Sequence, residues 1–355
     1  MMAKSNPTYN PKRVIPVFGS LCIYLIMLIM VAAMAHFSPF VGPVYASEGG
    51  STNYTPGTYG DFAMNVIPSG LSIRDNIIYY EGELNKFPVE YSEGLPFPVG
   101  VEPDLDADFR FNLVQAVYAS DFKILGGRYF ANINIPYVFD AQLQVKASTP
   151  FGSFKVDDES SGLGDIQFVP FGLAWDIENF HILFGENIIA PTGDYDADEL
   201  VSIGRNYWGY ETLFGVTWLH PERGHELSIS LAYVINSENS ETDYKTGDEF
   251  HVDYTLAQYF SESFAIGVVG YYYTQTTDDS GSGFEDLEDL FPGIVSSTDD
   301  IKGLRGDGGG IGPAIMWAPK IGGKPLNIIF KWMNEYACSY RPEGIWYNLS
   351  AAMTF

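Results

Sequence analysis

The last thirteen residues, Glu343 to Phe355, alternate in side-chain character and stop on an aromatic residue. Ile345, Tyr347, Leu349, Ala351, Met353 and Phe355 share one face; Gly344, Trp346, Asn348, Ser350, Ala352 and Thr354 share the other. Side chains on a strand point to opposite faces with a period of two, so this segment has an apolar face and a mostly small or polar one. Its length is about that of a tilted strand crossing a bilayer. A strand in a soluble sandwich alternates in the same way but seldom runs so long or ends the chain on an exposed Phe. Tyr347 and Phe355 therefore read as an insertion signal of the kind that the bacterial barrel-assembly machinery recognises.

A second constraint narrows the choice. After residue 46 no stretch has the apolar length of a membrane helix. A spanning chain must then close its strands into a barrel, because only helices and closed barrels satisfy the backbone in lipid. Before that point, Lys4, Lys12 and Arg13 precede an apolar run near Leu21 to Ala35, and Val44-Tyr45-Ala46 supplies small residues ahead of Ser47. Residues 1–46 read as a signal peptide removed on export, with a retained inner-membrane anchor as the alternative. Without that segment the chain carries 16 Lys+Arg (19 − 3) against 45 Asp+Glu, a formal charge of −29. Nucleic acid is excluded as a partner. Cys338 is the one cysteine left, which excludes an internal disulfide and a thiolate metal cluster.

Alternating segments recur near 71–81, 106–119, 124–146, 163–176, 179–190, 206–219, 225–236, 248–260, 263–276, 306–318, 324–337 and 343–355. Pro136 and Pro170 interrupt two of them. Connections fall into two kinds. Short turns are expected at 120–123, 176–179, 220–224, 261–263 and 318–324, and longer acidic loops at 82–105, 147–162, 191–205, 237–247 and 277–305. Short and long alternate as the periplasmic turns and outer loops of outer-membrane barrels do. The expected fold is all-β: a transmembrane antiparallel up-and-down barrel of about twelve strands over residues 71–355, both termini periplasmic. Ten or fourteen strands remain open if 124–146 is two strands or a weak segment is a loop. Aromatics near strand ends, at Trp208/Tyr210, Trp218, Tyr271-Tyr-Tyr273, Trp317 and Trp332, suit the girdles at the two bilayer interfaces.

Gly162-Leu-Gly-Asp165 with Pro170 downstream, Ala190-Pro-Thr-Gly-Asp-Tyr-Asp196, and Gly204-Arg-Asn-Tyr-Trp208 followed by Asn236-Ser-Glu-Asn239 and Thr242-Asp-Tyr244 stand in linked order. Together with Tyr59-Gly-Asp-Phe62 and Pro68 leading into Leu71-Ser-Ile-Arg74, they resemble the outer-membrane proteins grouped as the putative MetA-pathway of phenol degradation family. The resemblance implies a multi-pass β-barrel in the outer membrane of a Gram-negative bacterium, passing small hydrophobic or aromatic compounds. It implies no catalytic residue and no cofactor.

His251 and Asp253 share a face of one strand, inward with Glu249 and Thr255. Such a pair could support base catalysis in a lumenal hydrolase. No nucleophile motif accompanies it, and a polar lumen residue is the better reading; a structural or adhesive surface barrel is the third class. Other pore-lining candidates are the cations Arg74, Arg110, Arg128 and Lys331 and the acids Asp108, Glu211 and Glu335. Asp194, Asp196, Asp198 and Glu199 suggest a calcium loop, but Glu199 stands where the turn glycine belongs and Arg205 where the last ligand belongs, so no metal site follows. With Asp157-Asp158-Glu159, Asp278-Asp279 and Asp299-Asp300 they read as solvated loops, the alternative being divalent-cation bridging to lipopolysaccharide among the outer-membrane lipids. Ser47–Gly70 reads as either a periplasmic tail or a lumen plug. As a plug, Tyr54, Tyr59 and Phe62 supply bulk, and Asp61 pairs with Arg74, Arg110 or Arg128 at the periplasmic end.

Overall fold

The computed structural model describes residues 52–84, 102–149, 152–197, 199, 201–282, 305–339 and 341–355. Its strands are β1 (Gly70–Leu84), β2 (Glu102–Ile124), β3 (Gly127–Thr149), β4 (Gly152–Leu163), β5 (Ile166–Ile177), β6 (Phe180–Ala190) and β7 (Gly209–His220), followed by β8 (His225–Asn236), β9 (Glu249–Ser261), β10 (Phe264–Gln275), β11 (Asp307–Trp317), β12 (Lys320–Ile321), β13 (Lys324–Ser339) and β14 (Glu343–Thr354). Neighbours pair antiparallel around the whole ring. The seam is β14 on β1, in register from Ser72 opposite Thr354 to Glu83 opposite Glu343. Two of the fourteen strands add no stave. β12 is a two-residue rung on β13, and β4 continues β5 along the same edge of β3, where Tyr137 faces Leu163 and Asn134 faces Gln167. Fourteen less two leaves a closed barrel of twelve staves.

The segment expected at 124–146 is one strand, β3, beginning at Gly127 after the turn, which with twelve staves in the ring removes the ten- and fourteen-strand alternatives. Part of the loop expected at 147–162 is instead strand β4. Loop 82–105 is likewise shorter than expected, since β1 runs to Leu84 and β2 begins at Glu102. The cause is common to both. β2 and β3 hold 23 residues each, whereas about 9–11 cross the hydrocarbon, so these staves continue into water, where neither face needs apolar side chains. Most of the loop at 277–305, with Asp299-Asp300, lies outside the described residues, as do residues 1–46, expected to be a signal peptide, and Asp198.

The turn expected at 120–123 sits at Leu125-Gly126 (φ 51° and 80°), and Gly322-Gly323 (φ 60° and 83°) closes the hairpin of β12 and β13. Two successive positive φ values give the turn whose twist matches paired strands. Leu125 is no turn-former, and the sequence marks the turn by Gly126-Gly127, one residue further on. Pro170 is accommodated by a bulge: pairing slips between Phe168 and Phe171 against β6 and between Phe130 and Asn132 against β5.

The outward face carries exposed apolar side chains such as Ile73, Ile77, Phe214, Ile266 and Leu349. Trp208, Tyr210 and Trp332 lie towards the long-loop rim and Trp317 and Phe355 towards the short-turn rim, all exposed. Of the three consecutive tyrosines only Tyr272 joins this belt; Tyr271 and Tyr273 alternate inward and are buried. Inside, one apolar cluster gathers Tyr54, Phe62, Tyr80, Tyr271, Met333 and Trp346, and a second gathers Phe130, Val169, Leu183 and Leu213.

Candidate functional site: a threaded lumen

Residues 52–69 run lengthwise inside the barrel, held at each level by a different wall. At the long-loop rim Thr52 Oγ1 donates to Glu249 Oε2 (2.9 Å), the first residue of β9. Tyr54 OH donates to Asp253 Oδ2 (2.8 Å) and Tyr59 OH to Glu211 Oε2 (3.0 Å). Midway, the Asp61 carboxylate sits between the Arg74 guanidinium of β1 and Lys331 Nζ of β13 (2.9 Å from Oδ1). Below it, Ala63 N donates to Glu226 Oε1 (2.7 Å) and Asn65 N to Thr217 Oγ1 (3.3 Å). Near the short-turn rim Arg128 Nη1 donates to Ile67 O (2.6 Å) and Ser69 Oγ to Asp121 Oδ1 (2.7 Å). The segment expected at the periplasmic end thus extends along the lumen to the opposite rim. A tight backbone makes this possible. Lys331 Nζ also donates to Gly57 O (2.8 Å) and Gly60 O (3.3 Å), and a Cβ on Gly57 (φ 71°) would come within 2.3 Å of Met333 Cε.

The expected His251–Asp253 pair is a three-membered cluster. His251 Nε2 lies 3.0 Å from Glu211 Oε1 and Nδ1 lies 3.3 Å from Asp253 Oδ2, while Tyr54 stacks on the imidazole with centroids 3.8 Å apart. All three side chains are at most 3 % exposed. With a carboxylate at each ring nitrogen and a tyrosine over one face, the imidazole has no free nitrogen with which to draw a proton from a substrate. Nearer the rim, Glu335 accepts from Tyr80 OH (2.9 Å), Trp346 Nε1 (2.8 Å), Gly344 N (2.8 Å) and Tyr271 OH. Among the described residues no group of three or more His, Cys, Asp or Glu is placed to hold a metal ion.

Arg74, Arg128, Glu211, Glu249, His251, Asp253, Lys331 and Glu335 point into the barrel. Asp108 and Arg110 do not. Their neighbours Phe109 and Phe111 pack inward against the apolar cluster, and Arg110 turns out over the Tyr79 ring (5.4 Å), 3.7 Å from Asp140. Beyond the Tyr79–Arg110 register the outer surface of β2 has left the hydrocarbon, so polarity there no longer marks the lumen side. Tyr347 and Phe355 face outward: Tyr347 stacks on Tyr79 with centroids 6.0 Å apart, and Phe355 N donates to Leu71 O (2.8 Å).

The motif pieces of the middle chain meet at one carboxylate. Asp165 Oδ1 accepts from Thr192 N (3.0 Å) and Gly193 N (2.9 Å), Oδ2 from Arg205 N (2.8 Å), and Asp194 Oδ2 accepts from Leu163 N (2.8 Å). These acids brace loop 191–205 on the stave of β4 and β5. Asn239 and Tyr244 close the next loop, Asn239 N donating to Tyr244 O (2.8 Å) and Tyr244 OH to Asp279. Glu226, Asn65 and Arg341 hold lumen contacts unmarked by any motif; the one available signal was Glu226 alternating with Ser228 and Ser230 in an otherwise apolar strand.

Between the threaded segment and the wall of β2, β3 and β5 to β8 lies a narrow cavity of about 20 Å³, room for about one water. Its lining includes Tyr54, Thr58, Leu113, Gln115, Ile189 and Val234.

Comparison with known proteins places this geometry. A model of the family described as Putative MetA-pathway of phenol degradation matches residues 93–350. An outer membrane channel from Pseudomonas putida F1 superposes with a TM-score of 0.58 at 14% identity, over 85% of this chain and 100% of that one. A FadL homologue from Pseudomonas aeruginosa reaches a TM-score of 0.35 at 10% identity, over 90% and 100% of the two chains. No curated protein sequence matches. The barrel has the fold of an outer-membrane channel.

Proposed function

The chain belongs to the family Putative MetA-pathway of phenol degradation, and from that premise we propose that its barrel is a passive outer-membrane channel for small hydrophobic or aromatic compounds, gated by residues 52–69. The observation that carries this reading is the threaded lumen. Twelve staves enclose a space between the side-chain-filled interior of an eight-stranded barrel and the aqueous channel of a sixteen-stranded one, so one extended segment narrows it strongly. The segment is held by hydrogen bonds and ion pairs to β1, β3, β7, β8, β9 and β13, each exchangeable with water, with no covalent tie short of β1. The tyrosines packed beside it, Tyr271, Tyr273 and Tyr80, are buried while the segment is in place and present aromatic surface to an apolar solute once it withdraws.

In this reading residues 1–46 are removed on export, Tyr347 and Phe355 present the assembly signal, and lipids and lipopolysaccharide surround the outward belt. Deleting residues 48–66 and recording single-channel conductance in planar bilayers tests the gate. A clear rise is expected, and unchanged conductance refutes it. The His251→Ala variant separates channel from hydrolase: the channel reading expects no hydrolytic activity on lipid or peptide in either protein.

A further inference from the structure

Away from the two rims, the inner wall of the barrel is sorted by charge. Arg74 of β1 and Lys331 of β13 stand on one side, with β14 between their strands, and Glu211, Glu226 and Asp253 stand on β7, β8 and β9. Between the two sides, β2, β3 and β5 carry uncharged amides: Gln115 Nε2 donates to Asn134 Oδ1 (3.2 Å), Asn134 Nδ2 to Gln167 Oε1 (3.5 Å) and Gln167 Nε2 to Asn53 O (3.2 Å). The threaded segment is the counterpart of this wall, turning a carboxylate and two carbonyl oxygens to the cations and hydroxyl and N–H donors to the acids. The two sides do not depend on it equally. The acids have wall partners of their own: Glu211 has His251 Nε2 and Asn187 Nδ2, Asp253 has His251 Nδ1, and Glu226 has Ser228 Oγ (2.6 Å) and Tyr259 OH (2.8 Å). Among the described residues, every hydrogen bond and ion pair of the Arg74 guanidinium and the Lys331 ammonium goes to Gly57, Gly60 or Asp61. Withdrawal of the segment strips both cations at once, and a cation left unpaired away from water demands an anion.

We propose that Arg74 and Lys331 form a carboxylate-binding subsite of the channel, occupied by Asp61 at rest and by the carboxylate of a small aromatic acid during passage. Asp61, 1 % exposed between the two cations, shows that this level accommodates a carboxylate. The room is the segment's own, since Tyr59 and Asp61 vacate the volume of a ring and a carboxylate as they leave. Next to Gly57, whose oxygen Lys331 holds, lie the buried side chains of Met333 and Tyr271, which give an aromatic ring a surface. The Arg74 side chain is 25% exposed with the segment in place, so exchange begins at the guanidinium before the ammonium is uncovered. Because the acid binds only where Asp61 is absent, it shifts the segment towards its withdrawn state. An uncharged aromatic makes no such exchange.

The subsite rests on the channel reading, but its test measures binding rather than current. Equilibrium dialysis of the full-length, detergent-solubilised protein against radiolabelled benzoate, benzyl alcohol and acetate compares a ring bearing a carboxylate with an uncharged ring and with a carboxylate alone. Benzoate is expected to bind about tenfold more tightly than either. Asp61→Asn deprives the cations of their resident anion, so benzoate should bind about tenfold more tightly still, and adding Lys331→Met should abolish that gain. Heat-dependent gel mobility confirms that each variant is folded. In the unaltered protein, benzoate should also speed proteolytic cleavage within 52–69, read by mass spectrometry, where benzyl alcohol does not. Equal binding of benzyl alcohol or of acetate, no gain in Asp61→Asn, a gain kept after Lys331→Met, or cleavage indifferent to benzoate overturns the inference. Benzoate binding together with a conductance unchanged by deletion of 48–66 leaves the subsite standing and overturns the gated channel instead.

Discussion

Tyr54 lies almost flat on His251, with ring centroids 3.8 Å apart and 19° between the planes, and its hydroxyl reaches past the imidazole to Asp253 Oδ2 at 2.8 Å. One side chain of the threaded segment thus covers a ring and caps a carboxylate of the same strand. Replacing it should show what each contact contributes. Tyr54→Phe keeps the stack but leaves Asp253 without that donor and Gly57 N without its acceptor, a loss of about 1–3 kcal/mol. The detergent-solubilised barrel should melt lower with little change in conductance. His251→Ala removes the platform itself and leaves Glu211 and Asp253 without the ring between them, so conductance should rise.

Lys331→Met should release the segment at mid-height. Lys331 is 1 % exposed, and its ammonium holds Asp61 and two backbone oxygens at once. Breaking a buried pair by removing one partner costs about 3–5 kcal/mol because the other charge stays buried. The expected result is faster proteolysis within 52–69, read by mass spectrometry, with the barrel's gel mobility retained.

The loop beyond β10 should respond to pH. Burial pushes the Asp279 carboxyl up from an ordinary 3.8 to about 6, against the hydrogen bonds it accepts from Tyr244 OH and Gly247 N. A proton is therefore held more tightly in the folded loop than in the open one. Its stabilisation is complete below about 4 and is lost as pH rises through about 6. Hydrogen exchange at Lys245 and Gly247, corrected for intrinsic rate, should be slower at pH 5 than at pH 8, and Asp279→Asn should erase the difference.

Asp165→Ala removes the acceptor of three backbone N–H groups from loop 191–205. Gly193 and Gly204 approach so closely that a Cβ on Gly193 would lie 2.7 Å from Gly204 Cα, a contact that depends on the loop being braced. Leaving those donors unsatisfied costs about 1–3 kcal/mol each at most. Limited proteolysis should cut inside 191–205 in the variant and spare it in the parent, with the barrel intact in both.

Removing Phe355 should lower outer-membrane yield while export continues. Its backbone nitrogen adds a rung to Leu71 at the seam, and its ring lies 5.4 Å from Lys324 Nζ, so a loss confined to assembly points to recognition of the terminus rather than to export. Membrane fractionation after pulse labelling gives the readout, and an unchanged yield contradicts the signal.

Wherever a stave crosses lipid, the sequence marks its two faces, because hydrocarbon on one side forces a period of two; β8, β13 and β14 read directly from their residues. That constraint ends at the water boundary. Asp108 and Arg110 look like lumen charges only if β2 is assumed to stay in the membrane, and β4 looks like a loop for the same reason. The candidate site divides similarly. Lys331, Glu211 and His251 stand out as charges in apolar strands, whereas Gln115, Asn134 and Gln167 are unremarkable singly and gain meaning from the register that aligns them. The course of 52–69 was legible in its bulk and its glycines; its full length along the lumen depends on partners in strands more than a hundred residues away.

Asp61 also bears on how the ring is locked. Arg74 belongs to β1 and Lys331 to β13, and the strand between them is β14, the end of the chain. One carboxylate from inside the lumen therefore straddles the join between the first stave and the last, and acts as a clasp across the place where a barrel is most easily opened. Neutralising it should loosen the wall as much as the occupant, so that the pore and its closure share a single fastening.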